Sequence, residues 1–141
     1  MRIKTTAGLL LAAGFTVAAL TGCSGGQSVA EACSTAQSEL SDVQTQLSSV
    51  QSDAASGSFS KVAESIGALE DRLDETADKL SNDEVKAAVE DLSDKIGEFG
   101  ETFEGIDDGD TAALADRTEK MTDAATAVQD SGKKLDELCT A

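Results

Sequence analysis

The fold is decided by the sequence VAEACSTAQSELSDVQTQLSSVQSDA, residues 29–54, in which small or apolar side chains recur at alternating steps of four and three. The positions with this spacing are Val29, Cys33, Ala36, Leu40, Val43, Leu47, Val50 and Ala54. Such a repeat places these side chains on one face of a helix, as in a heptad seam. The stretch therefore predicts one long amphipathic helix that buries a single stripe.

Three further segments carry the same pattern. The second runs through Phe59, Val62, Ile66, Leu69, Leu73, Ala77 and Leu80, the third through Val85, Val89, Leu92, Ile96, Phe99, Phe103 and Ile106, and the fourth through Leu114, Thr118, Met121, Ala125, Val128, Gly132, Leu135 and Cys139. The chain contains no proline, which favours uninterrupted helices. We expect helices over about residues 28–55, 58–80, 82–106 and 110–139.

The junctions between these segments carry capping and turn residues. Residues 28–31, SVAE, and 81–84, SNDE, both fit the capping box, and Gly57 with Ser58 and the run 107–110, DDGD, mark the other two junctions. Short loops make consecutive helices antiparallel neighbours. The sequence therefore predicts an all-α domain over residues 28–141, an antiparallel up-down-up-down four-helix bundle.

The segment before this domain has a different organisation. Arg2 and Lys4 precede an apolar stretch over residues 7–20, too short to span a membrane comfortably, and the stretch ends in Leu20-Thr21-Gly22-Cys23. This run resembles the lipobox of bacterial lipoproteins. The resemblance implies a signal peptide over residues 1–22 that is cleaved before Cys23, a diacylglycerol (with palmitate among its expected acyl chains) on the Cys23 thiol, and a short tether over residues 23–27. The alternative is an ordinary signal peptide with an unrelated cysteine.

Both interpretations of the signal put the domain outside the cytoplasm. The resemblance implies a cell-membrane protein, lipid-anchored on the extracytoplasmic face, and the bias towards Ala, Thr, Gly and acidic residues resembles that of Gram-positive or actinobacterial envelope proteins. In an oxidising compartment the remaining thiols, Cys33 and Cys139, are expected to form a disulfide. Both lie on predicted core positions at the same end of the bundle. The alternative is two buried, reduced thiols.

The charge of the domain is strongly negative. Beyond residue 22 the chain has 27 acidic residues against 9 of the 11 basic ones, a net charge of −18. Such a surface repels nucleic acid and bare anionic lipid and suits a cation or a basic partner. Solvation of the outer helix faces is the simpler explanation of the acidic residues.

The side chains of common catalytic sites are scarce in this sequence. Histidine is absent, which removes the commonest general base and transition-metal ligand. The paired carboxylates Glu90, Asp91, Asp94 and Glu98 fall on an exposed helix face, and the polar residues nearest to core positions are Arg117 and Thr118. We therefore expect no enzymatic activity and no cofactor.

The end of the bundle far from Cys23 is the predicted contact surface. Asp107, Asp108 and Asp110 are weak candidates for a divalent-cation site, with Asp110 better explained as a helix N-cap, and Glu101, Glu104, Asp107 and Asp108 are candidate contacts for a partner. The phenylalanines Phe59, Phe99 and Phe103 should form a core layer at this end, and Gly97, Gly100 and Gly105 should loosen the last turns of the third helix.

Together these features predict a lipid-anchored, non-enzymatic interaction or structural module of the envelope. Its partners would be the membrane, through the anchor, and an envelope protein, but not nucleic acid. The alternative function is a small-ligand or divalent-cation binding protein that uses a cavity between helices or the acidic end.

Overall fold

The computed structural model describes residues 26–41 and 43–141, and all regular secondary structure in these residues is helical. The helices are α1 (Val29–Glu39), α2 (Val43–Ala55), α3 (Phe59–Asp78), α4 (Asp83–Glu101), α5 (Thr111–Asp116) and α6 (Thr118–Thr140). The prediction of an all-α domain is confirmed. The predicted signal (1–22) and the lipidation site Cys23 lie outside the described residues. Among the helices of the described residues, none combines the length and the apolar composition of a membrane-spanning segment.

Helices α3 and α4 form the centre of the domain. The hydroxyl of Ser93 on α4 donates to the carboxylate of Asp74 (2.7 Å) and to the carbonyl of Glu70 (3.2 Å) on α3. Further along, a Cβ on Gly100 would lie 3.0 Å from the Cγ2 of Ile66. Residues later in α4 therefore contact residues earlier in α3, so the two helices are antiparallel. The buried residues between them are Val62, Ile66, Leu69, Leu73, Val85, Val89 and Ile96.

Helix α6 lies along the other side of α4. The buried hydroxyl of Ser131 donates to Asp91 (2.7 Å), and Lys134 forms an ion pair with the same carboxylate (3.8 Å). Near its C-terminus α6 is joined to α1 by the Cys33–Cys139 disulfide, with the Cα atoms 5.5 Å apart. The pairing expected from the sequence is therefore present in the structure.

The first predicted helix, 28–55, is two helices in the structure. Helix α1 ends at Glu39, and the amide of Leu40 donates to the carbonyls of Ala36 and Ser38 before α2 begins at Val43. Helix α1 contacts α3, α4 and α6, whereas α2 contacts α3 alone. The chain has to change direction between these two settings. Serine and aspartate, the residue types at positions 41 and 42, favour such a break because their side chains compete for backbone hydrogen bonds.

The third and fourth predicted helices also differ from their expected bounds. Helix α4 ends at Glu101 rather than near residue 106, and turns follow through Gly105, whose φ is +68°. The fourth segment is divided at Arg117, which separates α5 from α6. The guanidinium of Arg117 donates to the carbonyls of Thr102 (3.2 Å) and Glu104 (2.7 Å). These bonds hold the break, and Thr118, predicted to be a core position, is exposed.

The end of the domain that contains Gln27 and the turn 79–82 is called the proximal end. The capping box at Ser28 is present: Glu31 donates its amide to the Ser28 hydroxyl, and its carboxylate accepts the Ser28 amide. At the second predicted box the N-cap is Asn82 rather than Ser81, and Asn82 accepts from the amide of Val85 (3.0 Å). Ser81 is used elsewhere, because its hydroxyl accepts the amide of Gln27 (3.0 Å).

Removal of the disulfide should destabilise the domain strongly. The two cysteines are 106 residues apart, so a Cys33→Ala/Cys139→Ala double variant should lose about 4 to 5 kcal/mol of unfolding free energy in the chain-entropy model. Urea unfolding of the oxidised wild type and the variant measures the difference. An unchanged free energy would show that this bond does not hold the fold together.

Candidate functional site

The loops opposite the proximal end are joined by their backbones. These loops, residues 56–58 and 102–110, are called the distal tip. The amide of Gly109 donates to the carbonyl of Gly57 (2.9 Å), and both glycines have positive φ, +81° and +74°. A Cβ on Gly57 would also lie 3.6 Å from the Cα of Gly109. Glycine therefore serves both the backbone conformation and the close approach of the two loops.

Asp108 caps helix α3 from the neighbouring loop. One carboxylate oxygen accepts the backbone amide and the hydroxyl of Ser60, both at 2.9 Å. Both bonds lower the pKa of Asp108, and the bond from the amide has the larger effect. Ser58, the N-cap residue of α3, makes no capping bond with its own side chain, so Asp108 takes over that role. The sequence did not reveal this link because the two residues lie 48 positions apart.

The other predicted tip residues divide between structure and surface. Asp110 caps α5 by accepting the amide of Ala113 (3.0 Å), as expected of an N-cap. Asp107, Glu101 and Glu104 are exposed. Within the described residues no group of three or more Asp, Glu or Cys side chains is arranged to hold a metal ion, so Asp107, Asp108 and Asp110 are not brought together as ligands.

The three phenylalanines lie near the distal tip, where the sequence predicts a core layer. Phe59 and Phe103 are buried, and Phe99 is partly buried. The rings of Phe99 and Phe103 meet edge to face, with their centroids 5.4 Å apart. This layer supports the tip from below and is not an exposed binding patch.

An acidic groove runs along the junction of α3 and α4 towards the distal tip. It has a volume of about 400 Å³, and its lining is Ala63, Ile66, Gly67, Glu70, Asp94, Gly97, Glu98, Gly100, Glu101 and Glu104. Glu101 and Glu104, predicted as partner contacts, both belong to this groove. Asp107 and Asp108 do not.

Glu70 is the groove residue that the sequence did not single out. Partial burial, followed by the negative charges of Asp74, Asp71, Asp94 and Glu101, raises the pKa of its carboxyl group. A Cβ on Gly97 would lie 2.7 Å from a Glu70 carboxylate oxygen, so glycine at 97 makes room for this side chain. Gly100, where a Cβ would lie 3.0 Å from the Cγ2 of Ile66, serves close packing of α3 and α4, whereas at Gly97 only the flexible end of Glu70 would have to move.

The four carboxylates that looked paired in the sequence have separate neighbours. Glu90 pairs with Lys86 (3.7 Å), Asp91 with Lys134, and Glu98 with Lys95 (2.6 Å). Asp94 instead faces the groove beside Glu70. Chemically, the groove offers several carboxylates to a cationic group, and it contains neither a thiol nor an imidazole among its lining residues.

Replacement of the Asp108 cap should destabilise the distal tip. Asp108→Ala leaves the start of α3 and the joined loops without their shared acceptor, so the thermal midpoint should fall by roughly a few degrees. Because the folded-state pKa is lowered, this contribution is present above the unfolded-state value of 3.8 and is lost as pH falls through the folded-state pKa. Asp107→Ala is the control, and an equal effect of both variants would contradict the cap.

Glu70 should oppose folding at neutral pH. Because the folded-state pKa is raised, its favourable contribution is present below the unfolded-state value of 4.5 and is lost as pH rises through the folded-state pKa. Glu70→Gln should therefore raise the thermal midpoint at pH 7, with the gain vanishing in acid. Thermal melts across this pH range test it, with the exposed Glu64→Gln as the control. A gain that is independent of pH would contradict the electrostatic cause.

No protein-family model, no curated protein and no solved structure matches this chain. Its function is therefore inferred from its own residues: the lipobox-like run, the disulfide and the distribution of charge over the helices.

Proposed function

We propose that the protein is a lipid-anchored envelope protein of the extracytoplasmic face of the cell membrane, and that it acts as a non-enzymatic interaction or structural module. The observation that carries this proposal is the run Leu20-Thr21-Gly22-Cys23 directly after a charged and an apolar segment. The Cys33–Cys139 disulfide supports it, since such bonds persist in oxidising compartments.

The arrangement proposed for the domain is an up-down-up-down bundle of four segments, in which α1 with α2 and α5 with α6 each count as one segment. The antiparallel contacts of α3 with α4 support it. So do the contacts of α4 with α6, since Asp91 meets Ser131, whereas Thr102 directly after α4 meets Arg117 directly before α6. The disulfide adds the pairing of the first segment with the last.

A lipid on Cys23 would hold the proximal end close to the membrane. Gln27 follows Cys23 by only four residues, which span at most about 14 Å when fully extended. Gln27 is itself held by the turn between α3 and α4: its side-chain oxygen accepts the amide of Ser81 (3.0 Å), and its carbonyl accepts from the side chain of Asn82 (3.1 Å). An anchor with so short a tether fixes which end of the domain faces the bilayer.

The distal tip would then point away from the membrane. Helix α3 has 20 residues, which corresponds to a length of about 30 Å. The acidic groove, with Glu101 and Glu104, opens towards this end. A partner with clustered basic side chains suits this surface, because opposite charges guide association at a distance beyond contact.

The absence of histidine from the sequence supports a non-enzymatic role. The sulfurs of Cys33 and Cys139 are bonded to each other, so neither is a free nucleophile. The carboxylates of the groove are close to one another without a nucleophile or general base of another kind beside them. Binding through charge is the chemistry that these groups support best.

Loss of the Cys23 thiol should release the protein from the membrane. The expected result for Cys23→Ala is no incorporation of a labelled fatty acid and recovery of the protein in the soluble fraction, since one thiol receives both acyl chains. Ser24→Ala, which keeps the thiol, is the matched control. Membrane fractionation and metabolic labelling in a bacterial host measure both effects. Continued labelling and membrane recovery of Cys23→Ala would refute the anchor.

A further inference from the structure

The Cys33–Cys139 disulfide lies beside an open groove. The groove runs between α1 and α6, has a volume of about 320 Å³, and is lined by both cysteines. Cys33 is only 4% exposed, whereas Cys139, in the last turn of α6, is partly exposed. A Cβ on Gly132, further along the groove, would have nothing within 4 Å, so the groove is open on that side. A thiol from outside can therefore reach Cys139 more easily than Cys33.

Packing alone gives helix α1 little hold on the domain. Its 11 residues fully bury only small side chains, those of Ala32, Cys33 and Ala36. Helix α3, by contrast, buries a phenylalanine, a valine, an isoleucine and two leucines. Because the stabilisation from burial scales with the apolar area removed from water, α1 contributes much less of it than α3 does.

The other attachments of α1 lie at the surface. Gln27 and Ser81 exchange two hydrogen bonds that are open to solvent, in which water competes for the same groups. Glu39 forms an ion pair with Lys79, and the two side chains are 38% and 50% exposed. Ion pairs with such exposure contribute little to stability. Without the disulfide, α1 is a short helix held by weak contacts, and such a helix is marginal in water.

The helix break allows α1 to leave without the rest of the domain. Helix α1 ends at Glu39, and α2, which begins at Val43, contacts α3 and none of the other helices. The packing of α3 on α4 and of α4 on α6 does not involve α1. Loss of α1 therefore leaves the centre of the domain with its own contacts.

We propose that Cys139 is a site of thiol–disulfide exchange with an extracytoplasmic dithiol protein, and that this exchange frees α1 from the domain. A thiolate of the dithiol attacks the Cys139 sulfur, and the Cys33 sulfur leaves as a thiolate that takes a proton from water. The second thiolate of the dithiol protein then attacks its own sulfur in the mixed disulfide, and Cys139 leaves and is protonated. Both cysteines are thereby reduced, and the dithiol is oxidised to a disulfide.

Release of α1 would lengthen the tether of the domain. In the docked state Gly26 lies against the turn after α3, since a Cβ on it would be 2.5 Å from the carbonyl oxygen of Ser81. Gly26 follows Cys23 by three residues, which span about 10 Å at full extension. After release, the first docked residue is Val43, twenty residues after Cys23, or about 70 Å at full extension. This longer reach rests on the proposed lipid anchor, whereas release of α1 does not.

The experiment uses the full-length, lipidated protein in phospholipid nanodiscs, with dithiothreitol as the dithiol probe. Hydrogen–deuterium exchange is measured before and after reduction under native conditions. The amides of α1 should exchange at least about tenfold faster in the reduced protein, and those in the middle of α3 and α4 should change less than about twofold. Reoxidation should restore the slow exchange of α1.

Two further measurements test the bond and the site of attack. The Cys33→Ala/Cys139→Ala variant should show fast exchange of α1 without dithiothreitol and no further change with it. Glutathione, followed by N-ethylmaleimide, traps the first step in the wild type. Glutathione should be found on Cys139 and the maleimide on Cys33, with the reverse products at least about tenfold rarer, because Cys33 is the covered sulfur.

Four outcomes would overturn the proposal. They are a bond that dithiothreitol reduces only when the whole domain unfolds, unchanged exchange of α1 after reduction, an equal rise of exchange in α3 and α4, and glutathione mainly on Cys33.

The longer reach has its own readout. Energy transfer from a fluorescent unnatural amino acid at the exposed position 107 to an acceptor in the lipid headgroups should fall on reduction. Unchanged transfer with a freed α1 would refute the longer reach. Co-elution with the nanodiscs is measured in the same samples, so a failure of the anchor is seen separately, and the exchange of α1 still decides whether the helix is released.

Discussion

The Cys33–Cys139 bond is the constraint on which the rest of the structure depends. Helix α1 has only 11 residues and fully buries no more than three small side chains, Ala32, Cys33 and Ala36. A helix of this length is marginal by itself in water. Its attachment to α6 positions Gln27 beside the turn that follows α3, and Leu40 and Gly132 line one groove between the two helices. The orientation relative to the membrane that is proposed above depends on that attachment.

The acidic character of the chain has more than one structural consequence. Some carboxylates are used as acceptors at helix N-termini, where the helix dipole favours negative charge, as with Asp108 and Asp110. Others are collected around the groove, where burial and then their negative charges raise the pKa of Glu70. A third surface, along α2 and one face of α6, has almost no charge at all. The described residues therefore separate a strongly acidic groove from a surface with little charge.

The features that local sequence patterns control were predictable. The heptad spacing indicated the all-α class, the residues around Ser28 indicated a capping box that is present, and the parity of the cysteines indicated the disulfide. The features that depend on distant contacts were not. The break after Leu40 arises because α1 and α2 pack on different helices, and the break at Arg117 arises because its guanidinium reaches the carbonyls of another loop.

The candidate surfaces show the same division: Glu101 and Glu104 were found from their charge and position, whereas Glu70 lies in the middle of a helix and gains its environment only from α4. Asp108 had the right charge for a contact residue, but its partner Ser60 is far away in sequence, so its role as a cap was hidden. Leu47 followed the apolar pattern as a core residue and became exposed because α2 leaves α6.

The disulfide also determines how the domain would respond to mechanical load. If a partner pulled at Asp108 while a lipid held Cys23, the force would enter a closed covalent ring at Cys33. From there it would divide between a long arm, 33–108, and a short arm that crosses the disulfide and returns from Cys139 to Asp108. The short arm becomes taut at about 105 Å, well before the long one is extended. Under tension the short arm would therefore set the maximum extension of the domain, and the long arm, 33–108, would carry little of the load.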